Sequence, residues 1–158
     1  MKFSSRVNLP ESTRSALVER LNVHLANTVD LQSQVKQAHW TLKGPQFFAR
    51  HELFDRVAGH LRDQADEVAE RVSTLGGYPR GTVRMAAETS VITKLDAGNV
   101  SGARLIKDLI DRFALHASVV REMIEPVDKD DPASADLLTG QLRTIELDLW
   151  FFESHFNE

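Results

Sequence analysis

Two histidines and a run of carboxylates occupy one short stretch of this chain. His39 and His51 are twelve residues apart, a Gly44-Pro45 pair lies between them, and Asp55 follows His51 by four residues. The next segment, "RDQADEVAER", is dense in Asp and Glu. Imidazole and carboxylate groups are the ligands that proteins use for iron and zinc. The pattern predicts a metal site whose geometry depends on the helices that carry these residues.

The spacing of apolar residues predicts four long helices. They are expected from about Pro10 to just before Lys43, from about Pro45 to Leu75, from about Val100 to Pro126, and from about Ala133 to Phe156. A short helix is expected at "AAET" in the stretch 80–99, and "VDKDDPAS" is expected to form a polar turn. The fold class is therefore all-α: a four-helix bundle of the ferritin-like arrangement, with a short extra helix between helices two and three.

On the second helix, four candidate ligands share one face. At ~100° per residue, His51, Asp55, Asp66 and Glu70 fall within an arc of roughly 100°. His51 and Asp66 are nevertheless about 22 Å apart along the axis, whereas a ligand must lie about 2 Å from its ion. One chain therefore cannot bring both ends of this face to one metal.

Two copies of the helix, antiparallel across a two-fold axis, solve this problem. If the axis passes near Gly59, His51 of one copy meets Asp66 and Glu70 of the other. Glycine inside a helix costs about 1 kcal/mol relative to alanine, and close approach of two backbones would explain its presence. The predicted site contains His39 and His51 from one chain, with Asp66 and Glu70 from its partner.

A solvated helix face is the alternative interpretation of the same carboxylates. Acidic residues every three or four positions, interleaved with Arg62 and Arg71, also suit surface ion pairs. No histidine has Glu three residues before it, so the Glu-x-x-His motif of a di-iron centre inside one bundle is missing. The remaining histidines are interpreted as structural: His24, His60, His116 and His155.

The stretch "KQAHWTLKGPQFFARHELFDRVAGHLRDQADEVAERVSTLGGYP" closely resembles the signature of the Dps family, the bacterial miniferritins or starvation-inducible DNA-binding proteins. The family's pattern falls on Lys36, His39, Trp40, Gly44, His51, Asp55, Asp66, Glu70 and Arg71. The resemblance covers nearly the whole chain. It implies a single domain over residues 1–158, with 1–9 as a short N-terminal tail, and assembly into a hollow homododecamer.

The resemblance also implies an activity, that of a ferroxidase. Fe(II) would bind at the dimer interface, be oxidised to Fe(III), preferably by hydrogen peroxide rather than O2, and be stored as ferric mineral in the cavity. The implied iron ligands are His39, His51, Asp66 and Glu70, with Asp55 contacting a second ion or orienting a ligand. Trp40 and Lys36 are implied as auxiliary residues beside the site. Zinc suits the same donors and is the competing metal.

In the family, acidic residues near the start of the last helix line three-fold pores, and the stretch "EPVDKDDPASAD" carries such residues here. Asp136 is the best match, and Asp130 and Asp131 lie close to it in sequence. Rings of carboxylates draw in cations by focusing the electric field. The alternative is a polar turn with favourable charges at a helix N-terminus.

The composition argues against cysteine-based chemistry, a membrane span and strong DNA binding. The chain has no cysteine, which excludes disulfides and Cys-ligated metals, and no apolar run of membrane-spanning length. We expect a soluble cytoplasmic protein, nucleoid-associated only if DNA is bound. The net charge of -4, and a tail with only Lys2 and Arg6, predict weak or absent DNA binding. A nucleoid-binding protein with secondary iron handling and a zinc-holding shell are the alternatives.

Overall fold

The computed structural model describes residues 3–96, 98 and 101–156, which form five helices and no strand. The helices are α1 (Glu11–Thr41), α2 (Phe47–Thr74), α3 (Val83–Thr89), α4 (Gly102–Asp130) and α5 (Pro132–Glu153). Helices α1 and α2 pack as one hairpin, α4 and α5 as a second, and α3 lies against α1. The predicted four-helix bundle with a short extra helix is confirmed. Within the described ranges, no helix has the length and apolarity needed to cross a membrane.

The predicted apolar stripes form the core. Phe152 of α5 lies between Phe54 of α2 and Phe113 of α4, with ring centroids 5.8 and 5.1 Å apart in edge-to-face contacts. These rings are completely buried and fix which face of α2 points inward. Asp66 therefore points away from the centre of the bundle, whereas His51 is half-buried beside α1.

The end of α4 differs from the expectation. The helix was predicted to stop at Pro126, but it continues to Asp130, and the predicted turn over 127–134 shrinks to Asp131. Proline removes one backbone hydrogen bond from a helix. The following residues compensate, because Val127 is completely buried and its carbonyl accepts a 2.7 Å hydrogen bond from the Asp131 N–H.

The other helix ends lie close to their expected positions, within the usual uncertainty of such boundaries. The last helix ends at Glu153 rather than at Phe156, and residues 154–156 form a turn. The start that was expected at Val100 lies outside the described residues. The predicted "AAET" helix is the second half of α3.

The segment before α1 is bound to the end of α2. Gly76 follows α2 with a φ of 82°, a left-handed conformation that glycine adopts without strain. Its carbonyl accepts a 2.8 Å hydrogen bond from the Phe3 N–H, and the Ser5 hydroxyl donates to the Thr74 carbonyl at 2.7 Å. A Cβ at position 76 would lie 2.7 Å from the Phe3 carbonyl oxygen. From Phe3 onward the predicted tail is therefore held on the bundle, while Lys2 lies outside the described residues.

A polar cluster crosses the middle of the bundle. His24 of α1 and His116 of α4 are completely buried and stacked, with ring centroids 5.2 Å apart. Nε2 of His24 lies 2.7 Å from Oε1 of Gln141 on α5, whose amide nitrogen donates to the Gln64 carbonyl of α2. Burial lowers the pKa of His24 to about 4 and holds the pKa of His116 well below its usual value. All four long helices are thus joined by neutral polar groups.

Acid should destabilise the bundle through these histidines. The unfolded chain binds histidine protons below pH ~6.5, whereas folded His24 resists protonation down to about pH 4. The free energy of unfolding is therefore undiminished above pH ~6.5 and decreases as the pH falls toward 4, by about 3 kcal/mol from His24 alone. Urea unfolding at fixed protein concentration, followed by circular dichroism at pH 7 and 4.5, measures this loss. His24→Gln should reduce it, and the exposed His155→Gln control should not; equal losses in all three proteins would contradict the assignment.

Candidate metal centre

His39 and His51 face each other across the connection between α1 and α2. Nδ1 of His39 lies 3.0 Å from the carbonyl oxygen of His51, and Nδ1 of His51 lies 3.2 Å from that of His39. The rings stack with centroids 3.6 Å apart. A carbonyl only accepts, so each Nδ1 carries the hydrogen and each Nε2 keeps its lone pair. Both imidazoles are therefore held in the tautomer that binds a metal ion through Nε2.

The connection over residues 42–46 brings His39 and His51 together. Gly44 has a φ of 95° and Gln46 a φ of 61°, so two left-handed residues reverse the chain direction within five residues. The Phe47 N–H donates to the Gly44 carbonyl at 3.2 Å, which closes the turn. A Cβ on Gly44 would meet nothing within 4 Å, so its backbone conformation, rather than space, favours glycine.

Asp55 is engaged by Lys36. The ammonium group donates to Oδ1 of Asp55 at 2.6 Å, and this hydrogen bond and charge hold the pKa of Asp55 below its ordinary value. The Lys36 nitrogen also lies 5.9 Å from the centroid of the Trp40 ring. Trp40 itself is 64% exposed in the single chain. The predicted auxiliary residues thus lie at the same end of the α1–α2 hairpin as the two histidines.

Asp66 and Glu70 are exposed, and within the described ranges neither carboxylate has a hydrogen-bond or ion-pair partner. Their neighbours differ, because Asp63 pairs with an adjacent arginine and Glu67 accepts from an amide of α5. Arg71, which follows Glu70, pairs with a carboxylate at the start of α5 instead. Among the described residues, the ion pairs of the alternative interpretation are therefore not found at Asp66 and Glu70, whose carboxylates are exposed to solvent and available to a cation.

One chain does not assemble the whole ligand set. The part of the chain that the structure describes contains no group of three His, Cys, Asp or Glu side chains placed to hold a metal ion. Between His51 and Asp66, a Cβ on Gly59 would meet nothing within 4 Å. Packing within one chain therefore gives no reason for this glycine. The approach of a second chain at Gly59 stays a prediction.

The three predicted pore residues have different environments. Asp130 and Asp136 are exposed, whereas Asp131 is buried. Oδ2 of Asp131 accepts hydrogen bonds from Arg71 and Ser134, each at 2.5 Å. Burial alone would raise the pKa of Asp131, but these two partners outweigh it and hold the pKa below its ordinary value. Asp131 therefore ties α2 to the start of α5, and Asp130 and Asp136 are the carboxylates open to a passing cation.

Two buried polar contacts were not predicted from the sequence. Nδ1 of His60 lies 3.0 Å from Oδ2 of Asp148, whose side chain is 1% exposed. Burial raises the pKa of Asp148, and the contact with His60 opposes this shift. The other contact is that between His24 and His116, in the polar cluster that crosses the bundle. The sequence did contain a signal for the contact of His60 with Asp148. Asp148 stands between Ile145 and Phe152 in the apolar stripe of α5, where a carboxyl group requires a buried partner.

Known proteins resemble this chain over almost its whole length. A model of the ferritin-like domain family matches residues 18–158. A DNA protection during starvation protein of Agrobacterium fabrum is 38% identical over 155 residues, covering 96% of this chain and 94% of that protein. The fine tangled pili major subunit of Haemophilus ducreyi is 35% identical over 150 residues, covering 94% of this chain and 79% of that protein.

Solved structures give the same result for the fold. DpsC from Streptomyces coelicolor superposes with a TM-score of 0.95 at 31% identity, covering 100% of this chain and 93% of that chain. A tetragonal form of Mycobacterium smegmatis Dps superposes with a TM-score of 0.90 at 28% identity, covering 100% and 96% respectively. The fold that was predicted from the sequence is confirmed.

Replacing Lys36 should strengthen cation binding at this site. Lys36→Gln removes a positive charge and frees an oxygen of Asp55, so we expect a several-fold lower Kd for Zn²⁺, used as a redox-inert probe in calorimetric titrations. Lys43→Gln, which removes the same charge at an exposed position beyond α1, is the control. Weaker binding by Lys36→Gln, or equal affinities of the two variants, would mean that Lys36 does not compete with the cation.

Proposed function

The chain belongs to the Dps family of ferritin-like proteins, and from this premise we propose that it oxidises Fe(II) and stores the product inside a protein cage. Family membership supports a role in iron-linked protection from stress. The finer proposal is a ferroxidase whose substrates are Fe(II) and hydrogen peroxide, with O2 as the slower oxidant, and whose product collects as ferric mineral inside a homododecamer.

The observation that carries this proposal is the pair of free Nε2 atoms on His39 and His51. Their Nδ1 atoms are consumed by hydrogen bonds, so both rings present the same kind of nitrogen ligand. Asp66 and Glu70 add anionic oxygen, which favours Fe(III) over Fe(II) because the harder and more highly charged ion gains more from carboxylates. Four protein ligands leave coordination positions for the oxidant.

The stoichiometry requires two electrons for each peroxide. One hydrogen peroxide takes one electron from each of two Fe(II) ions, its O–O bond breaks, and uptake of two protons gives two Fe(III) and two waters. Pairwise oxidation releases no hydroxyl radical. Asp55 is the proposed contact for the second ion, and the indole of Trp40 can supply an electron to a stray oxidant.

We place each site between two chains. His39 and His51 would come from one chain and Asp66 and Glu70 from its partner, across the two-fold axis predicted near Gly59. The exposed aromatic side chains of this region support the proposal. Trp40 is 64% and Phe48 is 73% exposed in the single chain, and a second chain would bury such apolar surface. Asp130 and Asp136 are the proposed lining of a pore for Fe(II) entry.

Anaerobic loading with Fe(II), followed by hydrogen peroxide or O2, tests the activity. Ferric absorbance and particle size are followed together. We expect rapid oxidation by peroxide, soluble mineral inside a dodecamer-sized particle, and inhibition by Zn²⁺ added before iron. Oxidation no faster than in buffer would contradict the ferroxidase, and metal analysis of the purified protein would then test the zinc-holding shell.

Mixed shells test the two-chain geometry. His51→Ala and Glu70→Ala should each slow oxidation at least tenfold, as loss of a ligand or its support does elsewhere. The controls are the exposed His155→Ala and Glu52→Ala. A dimer of one His51→Ala and one Glu70→Ala chain contains one intact site, so random mixing should restore about a quarter of the wild-type rate. Well-assembled mixed shells without recovery would count against ligands from two chains.

DNA compaction is the competing function, and the structure does not favour it. The net charge is -4 per chain, and repetition over a shell repels phosphate. From Phe3 onward the N-terminal segment is hydrogen-bonded to the end of α2, so it does not form a free basic arm. We therefore propose weak or no DNA binding at neutral pH.

A gel-shift titration with linear duplex DNA separates the two functions. At ~150 mM salt we expect no retention, because a few phosphate contacts lose most of their affinity at this ionic strength. Weak retention at ~20 mM salt would agree with avidity of many short basic segments. Tight retention at the higher salt concentration would overturn the proposal and make nucleoid binding the leading function.

A further inference from the structure

The tautomer of His24 follows from its hydrogen bonds. The amide nitrogen of Gln141 donates to the Gln64 carbonyl at 3.1 Å and to Oε2 of Glu67 at 2.9 Å. Oε1 of Gln141 is therefore the acceptor that faces His24, and Nε2 of His24, 2.7 Å away, must carry the hydrogen. A neutral imidazole carries one N–H, so Nδ1 of His24 keeps a lone pair.

The tautomer of His116 follows in the same way. The Thr28 hydroxyl donates to the His24 carbonyl at 2.8 Å. Its oxygen is thus an acceptor for Nε2 of His116, which lies 3.4 Å away. Nε2 of His116 carries the hydrogen, and Nδ1 of His116 also keeps a lone pair.

Three buried electron-pair donors in this cluster lack a hydrogen-bond partner within the described residues. They are Nδ1 of His24, Nδ1 of His116 and Oε1 of Gln64. Buried acceptors of this kind are usually satisfied, since leaving them unpaired costs free energy. The other two buried atoms without a partner, on Asn27 and Arg50, are N–H donors and cannot bind a cation.

An acidic cleft at the surface is lined by two residues of this cluster, Gln64 and Gln141. It has a volume of about 390 Å³ and lies between α2 and α5. Its charged and titratable residues are His60, Asp63, Glu67, Asp136 and Arg143. The carboxylates outnumber the single arginine, so the cleft attracts cations. Oε2 of Glu67 accepts a hydrogen bond from the amide of Gln141, whose own oxygen faces His24.

We propose that His24 and His116 form a second metal site, inside one chain, for a divalent ion that prefers imidazole, with Zn²⁺ as the representative. The two ring centroids lie 5.2 Å apart, so the unpaired Nδ1 atoms belong to neighbouring buried rings, and these atoms are the proposed ligands, with bonds of about 2.0–2.1 Å to the ion. Oε1 of Gln64, which is buried and unpaired and belongs to the residue that exchanges hydrogen bonds with Gln141, is the proposed third, neutral ligand. This ligand set contains no first-sphere carboxylate, so it favours Zn²⁺ or Cu²⁺ over Fe(III). It needs no partner chain and does not rest on the proposed ferroxidase.

Zinc retention in chains that lack His39 and His51 tests this site. His39→Ala/His51→Ala protein is loaded with Zn²⁺, dialysed and analysed for metal per chain. We expect one retained ion, lost when His24→Gln is added and kept when the exposed His155→Gln is added. No retained zinc, or equal retention with His24→Gln, overturns the proposal.

A second variant keeps the test valid if His24→Gln does not fold. Gln64→Glu, in the same background, adds a carboxylate at the third ligand and should lower the Kd for Zn²⁺ at least tenfold in competition with a chromogenic chelator. Cu²⁺ loaded into the same background should show nitrogen hyperfine splitting from two imidazoles in its EPR spectrum. An unchanged Kd for Gln64→Glu, or a spectrum without nitrogen coupling, would also overturn the proposal.

Discussion

The two opposed hydrogen bonds between His39 and His51 are the interaction on which the candidate metal site of these two residues depends. Each ring donates to the main-chain carbonyl of the other, so neither can rotate without breaking a bond at its own Nδ1. The same pair of bonds joins the last turn of α1 to the first turn of α2. A short connection with two left-handed residues is therefore not only a link between helices. It selects the imidazole tautomer and with it the atom that faces a metal.

Helix length supplies the second constraint. Helix α2 has 28 residues, so it spans about 42 Å, and ligands near its two ends cannot converge on one ion. Phe54 packs against Phe152 on the inner side and fixes the rotation of α2 about its axis. Asp66 and Glu70 consequently point outward without partners in the described structure. A chain built in this way can complete the site only through a partner, which would couple oxidation to assembly.

Local patterns accounted for much of the fold and of the candidate site. Apolar periodicity predicted the helices and the core, and ligand spacing predicted the shared face of α2, because both depend on residues near in sequence. The extension of α4 through Pro126 was missed, since packing of Val127 in the bundle outweighs a local rule. The contact between His24 and His116 depends on which helices pack together, and periodicity within one helix does not contain that information. The hydrogen bonds of Asp131 could not be predicted either, because one partner, Arg71, lies on a different helix.

Charge gives Lys36 a role in the proposed site of His39, His51, Asp66 and Glu70. In the proposed two-chain arrangement, three carboxylates approach one point, and without a cation they repel one another. The Lys36 ammonium, 2.6 Å from Asp55, neutralises part of this charge within the single chain. A divalent ion supplies twice the charge of the ammonium, and it can coordinate imidazole nitrogens and carboxylate oxygens together. In the proposed site, exchange of the lysine for Fe(II) would therefore be favoured, whereas exchange for a monovalent ion would gain little. In this proposal the lysine holds Asp55 in place and, by the same competition, would make the site selective for ions that bind both nitrogen and oxygen.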